Sequence, residues 1–185
     1  MKAIEEPARR TSLLALAVLA TFLGTAFWFL SRSPTPVEST PSLVERHART
    51  HGLDPDLVRA VIHAESGGRP GAVSPAGAVG LMQIMPGTAA AVAEKLGLPS
   101  PSRRDLFDPD VNIRIGTFYL AQMREDFGDD HLALGAYNAG PANVRRWRKK
   151  HPGAPGPEVI RRAGFAETRH FVKRVMAEWR RARGR

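Results

Sequence analysis

The chain has 185 residues, 43% of them hydrophobic and 24% charged, which leaves room for one packed domain and an appendage. It has no cysteine, which excludes disulfides, thiolate metal sites, a cysteine nucleophile and a lipidated cysteine anchor. A net charge of +9 calls for an anionic partner, whether nucleic acid, phospholipid or an acidic polymer.

Lys2, Arg9 and Arg10 precede residues 11–30, a stretch of twenty with no charge and no proline, and a Pro/Ser/Thr-rich linker follows at 31–41. That length matches the hydrocarbon thickness of a bilayer, and no Ala-x-Ala cleavage site follows it. The sequence predicts residues 1–10 in the cytoplasm, a single transmembrane anchor at 11–30, and residues 42–185 as a globular domain in the periplasm. Export after signal cleavage is the alternative. Basic residues cluster in Arg145 to Lys150, at Arg161 and Arg162, and from Lys173 to Arg185. Outside the inner membrane these face anionic phospholipid or wall carboxylates, so no nucleic acid partner is expected.

Past the linker the pattern is helical throughout, with breaks at Gly, Pro, Asn and Asp. Helices are predicted at 42–50, 54–66, 88–96, 109–127, 130–137, 141–150, 157–162 and 167–183. In the fourth, Val111, Ile115, Phe118 and Tyr119 form one apolar stripe. No stretch alternates with period two, so the expected class is all-α, a compact bundle of short helices with at most a minor hairpin within 71–80. Residues 67–86 form an irregular connection rich in Gly, Pro, Ala and Ser, and connections of that length are uncommon unless functional.

That connection begins beside Glu65. Asp54 caps the second predicted helix and Gly67-Gly68 stops it, which puts Leu57, Val61 and Glu65 on one stripe. An inward carboxyl is poorly solvated and holds its proton to higher pH, as a general acid requires. On helix geometry alone, the favoured reading is a terminal glutamate that reaches out to water. From Ser66 to Ala93 there is no further acid, whereas most glycoside hydrolases use a second carboxylate, although a distant segment could still supply one.

Four runs stand out together: Ala64-Glu-Ser66, Gly80-Leu-Met-Gln-Ile-Met-Pro86, Ala136-Tyr-Asn-Ala-Gly-Pro141 and Glu167-Thr-Arg-His-Phe-Val172. Singly, each reads as a turn, a helix stop or core filler. In this order they resemble the catalytic domain of soluble lytic transglycosylases, of the goose-lysozyme-like fold, over residues 42–179. The resemblance implies an enzyme that cleaves the β-1,4 bond between N-acetylmuramic acid and N-acetylglucosamine in peptidoglycan, leaving a 1,6-anhydromuramoyl end. Glu65 then stands at the position of the family's single catalytic acid/base. Ser74 matches a serine that bonds the acid or the substrate, with turn formation before Pro75 as its plainer role. Gln83 and Met85 match residues lining the sugar subsites, Tyr137 a hydroxyl near the acid, and Asn138 a more structural amide.

Glu167, on the stripe of Phe171, Val175 and Trp179, is expected to face inward, toward the peptide side of the substrate or into a buried ion pair. Phe171 departs from the family's usual tyrosine. Neither a metal nor a cofactor is expected. A hydrolytic lysozyme of the same fold, and a non-catalytic wall-binding or secretion-apparatus module, are the competing readings.

Overall fold

Prolines and short acidic or hydroxyl caps set where the helices begin. The structure, a computed structural model, describes residues 38–184. The cytoplasmic stretch expected at 1–10, the anchor expected at 11–30 and linker residues 31–37 lie outside the described residues. Among the described residues no helix is long and apolar enough to cross a membrane.

These residues form eight α-helices: α1 (Thr40–Thr50), α2 (Pro55–Ser66), α3 (Pro86–Lys95), α4 (Pro109–Phe127), α5 (Asp130–Ala139), α6 (Pro141–Lys150), α7 (Gly156–Ala163) and α8 (Ala166–Arg183). A 3₁₀ turn, Asp105–Phe107, precedes α4 and was not anticipated. Six of the helices carry proline in the first turn, where its missing N–H costs nothing. This is why α3 starts at Pro86, two residues before its predicted start. Ser39, Asp54, Asp108 and Asp129 each accept a backbone N–H as an N-cap.

The bundle is built around α5, whose residues from Leu132 to Tyr137 are all buried and which packs against α4, α6, α7 and α8. A helix apolar on every side belongs in a core. Its Gly135 admits Ile160 of α7 so closely that a Cβ there would lie 2.5 Å from the isoleucine Cδ1. Helix α2 packs along α8, and the Trp179 Nε1–H donates to Asp54 Oδ2 at 2.7 Å, tying the start of α2 to the end of α8.

The segment between α2 and α3 has irregular backbone with two isolated antiparallel bridges, Val73 with Val79 and Val79 with Ile84. The anticipated hairpin is reduced to these bridges, and the described residues are otherwise helical or irregular. Side chains from the flanking helices pin the segment. Asn112 of α4, fully buried, accepts from Met82 N at 2.8 Å and donates to the carbonyls of Val79 and Leu106 at 2.9 and 2.8 Å. The Ser66 hydroxyl donates to the Leu81 carbonyl at 2.8 Å. Gly80 passes Asn112 with φ +82°, and a Cβ would lie 2.2 Å from the Asn112 Nδ2. Leu81, Met82 and Ile84 are buried to the limit, so the segment is part of the core despite its composition.

Candidate active site

A cleft of about 350 Å³ opens where α2 ends, walled by the pinned segment, α5 and the start of α8. All seven residues singled out from sequence line it: Glu65, Ser74, Gln83, Met85, Tyr137, Asn138 and Glu167.

Glu65 sits in the last turn of α2, half-buried, with its carboxyl pushed up to about 7. Burial is the main cause, the nearby Glu167 charge adds to it, and Arg174 opposes it. The inward position expected from helix period therefore holds over the water-seeking alternative.

Tyr137 is buried and its hydroxyl donates to the Met82 carbonyl at 2.7 Å. That bond fixes the ring against the pinned segment and leaves the phenol oxygen as an acceptor. Burial, then the Glu65 charge, then Tyr119 raise the phenol well above its usual range, so it stays neutral beside the acid. Its ring stacks on Phe171 with centroids 6.4 Å apart and planes 10° from parallel, and lies 5.4 Å from Tyr119.

Gln83 has φ +50°, a left-handed conformation unusual for a side chain larger than glycine. Its amide nitrogen holds that conformation by donating to the carbonyls of Ala72 and Gly80 at 3.2 and 3.0 Å. Only its side-chain oxygen is left for a ligand. Such local strain is concentrated at functional sites. Ser74 accepts from Ala78 N at 3.0 Å and so closes the turn through Pro75, the plainer of its two expected roles, while still bordering the cleft. Met85 is 42% exposed at the mouth. Asn138 is half-buried in the last turn of α5.

Glu167 differs from expectation. It is exposed in the first turn of α8, at the cleft rim, while Thr168 and Phe171 take the inward positions. The helix starts beyond the edge of the core, so its first stripe position overhangs open space. Glu167 also supplies what the segment after Glu65 lacks, a second carboxylate bordering the same cleft from a distant part of the chain.

Two further residues had not been singled out as site residues. Tyr119 of α4 is a half-buried wall of the cleft, and burial followed by the Asp126 charge raises its phenol. Its membership in an apolar stripe marked it as core, and only its polar tip hinted otherwise. Arg174 of α8 donates from Nη2 to the carbonyl of Ala64, the residue before Glu65. It lies in a run of basic residues that reads as a solvated face.

Residues 42–159 match the transglycosylase SLT domain family. The chain belongs to that family. This SLT-domain chain is 38% identical over 165 residues to the soluble lytic murein transglycosylase of Escherichia coli strain K12, covering 88% of this chain and 25% of that protein. It is 36% identical over 112 residues to the membrane-bound lytic murein transglycosylase C of Actinobacillus pleuropneumoniae serotype 5b, covering 55% of this chain and 31% of that one. Among solved structures, an inactive mutant of the lytic transglycosylase Slt from Pseudomonas aeruginosa superposes with a TM-score of 0.70 at 40% identity, covering 75% of this chain and 23% of that one. The SLT-domain chain thus spans about a quarter to a third of the length of these relatives.

Proposed function

We propose that the chain is a peptidoglycan lytic transglycosylase with Glu65 as its catalytic acid and base. The observation that carries this reading is a carboxyl at about 7, in a cleft of a chain that belongs to the SLT-domain family. An acid near neutrality can both give and take a proton at working pH.

Protonated Glu65 donates to the oxygen linking muramic acid C1 to the N-acetylglucosamine, and the C1–O bond breaks. The carboxylate then takes the proton of the muramoyl C6 hydroxyl as O6 bonds to C1. The product carries a 1,6-anhydro ring, no water is consumed, and Glu65 ends as it began. A nucleophile tethered to its own electrophile gains a large effective concentration, so no second acid is needed to activate water.

The neutral Tyr137 oxygen stabilises the protonated acid, and the free oxygen of Gln83, with Met85 and Ser74, borders the sugars. Asn138 shapes the wall, and Glu167 at the rim lies toward the stem peptide. One observation favours a second reading. Glu167 borders the same cleft, and paired carboxylates are the apparatus of a hydrolytic lysozyme.

The domain division extends this reading: residues 11–30 anchor the chain in the inner membrane, 31–41 link, and 42–185 act on glycan strands in the periplasm. Support comes from the charge-free run of twenty residues and from a relative named as membrane-bound. The test of the acid is Glu65→Gln, which keeps shape but removes titration. Clearing of a peptidoglycan suspension should slow by about 10² to 10⁴-fold. Undiminished clearing by a variant with unchanged circular dichroism would sink the assignment.

A further inference from the structure

Two arginines hold the end of α2. Arg69, in the pinned segment, donates through Nε to the Ser66 carbonyl at 2.9 Å. Arg174, on α8, donates through Nη2 to the Ala64 carbonyl. The last carbonyls of a helix have no partner within it and carry the negative end of the helix dipole, so cations there are favourable. Only Arg174 also acts on the Glu65 carboxyl.

Arg174 and Glu167 stand seven residues apart, two turns along α8, and so share one face of it. Glu167 borders the cleft, whereas Arg174 lines a separate recess with His63, Ala64, Glu178 and Arg181. Helix α8 therefore carries an acidic and a basic residue whose charges both act on Glu65. The other ionisable groups around this end of α2 have other engagements. The His63 Nδ1 and Glu178 Oε2 are bonded to each other at 2.7 Å. Tyr137 of α5 is neutral and bonded to the Met82 carbonyl, and Tyr119 of α4 lies beyond it. Arg181 lies in the recess, away from the cleft lining.

We propose that Arg174 is a positioning residue for Glu65: it fixes the backbone of the acid's own turn through the Ala64 carbonyl and sets one positive charge against the negative charge of Glu167. Burial makes a carboxyl hold its proton and so weakens it as the acid of the first half of the reaction, and a nearby positive charge eases release of that proton. Arg174 opposes burial from the neighbouring recess, without lining the cleft. The inference rests on the reading of Glu65 as the acid, so the experiment follows the carboxyl itself as well as turnover.

The measurement is the ¹³C carboxyl titration of Glu65 in the full chain, its signal assigned by loss in Glu65→Gln, together with the pH profile of kcat/KM on a defined glycan. Arg174→Met should move the titration up by about half a unit to one unit, as loss of a nearby opposite charge requires. It should lower kcat by about tenfold with KM unchanged, since small displacements of a reacting group are costly. Arg174→Lys should restore the titration, and Arg69→Met, which removes a comparable bond at the same helix end, should leave it in place. Should Arg174→Met fail to fold, Arg174→Gln carries the same comparison.

An unmoved titration in Arg174→Met, an equal shift in Arg69→Met, or a rise in KM with kcat unchanged would each overturn the proposal. A titration that moves while the activity profile does not supports Arg174 as the group governing Glu65, and contradicts instead the catalytic reading of that carboxyl.

Discussion

Glu65 holds its proton because the fold gives its charge too little solvent, and this has a consequence for stability as well as for reactivity. Its carboxyl rises from an ordinary 4.5 to about 7 on folding. Between those values the native state binds more protons than the unfolded one, so the contribution is complete below pH 4.5 and is lost as pH rises through 7. Denaturant titrations should show wild type losing roughly 3 kcal/mol across that window relative to Glu65→Gln, whose amide does not titrate. Parallel pH dependences would mean that the carboxyl is solvated after all.

The inward position was legible because a helix of fixed period carries Leu57, Val61 and Glu65 on one stripe up to a Gly67 stop. The same rule misplaced Glu167, since a stripe reports a direction and not whether core exists in that direction. Tyr119 was hidden for a related reason: an aromatic at a stripe edge is both core and cleft wall.

At the scale of elements, the segment between α2 and α3 decides whether the cleft exists. It is fixed by Asn112, whose three hydrogen bonds leave no orphaned group. Asn112→Ala should cost about 2–4 kcal/mol, because it leaves buried backbone groups of Met82, Val79 and Leu106 unpaired. Gly80→Ala should be comparably destabilising, since its Cβ would collide with the Asn112 Nδ2 and its φ disfavours any side chain. Thermal unfolding reads both, and near-wild-type melting of either variant would show that the segment can relax elsewhere. The sequence marked this segment as functional by its length and composition, yet local spacing does not disclose a partner thirty residues on in another helix. Helix limits were far more legible, since caps and prolines are local. The ends of α4 and α6 fall where they were predicted, while α3 begins early because Pro86 opens the helix rather than ending the loop.

At the scale of the whole molecule, a basic domain of the SLT family follows an apolar run in the sequence. An inserted anchor and an electrostatic attachment are separable, because salt screens charge but leaves apolar insertion intact. The full chain should remain with membranes through a high-salt wash and leave with detergent. Release by salt alone would assign attachment to the basic surface instead.

The fold class was legible from end to end of the domain, because its breaks and apolar stripes are local signals. The proposed chemistry is legible only as a constellation. Glu167 sharpens the remaining choice, since with two carboxylates on one cleft the absence of an acid from 66–93 no longer distinguishes ring closure from hydrolysis. The products do distinguish them. Mass spectrometry of purified peptidoglycan digested by this chain, with Glu65→Gln as the control, should find muramic ends one water lighter than reducing ends, as 1,6-anhydro rings, and none of them in the control. Reducing muramic ends would contradict the account and make the chain a hydrolase.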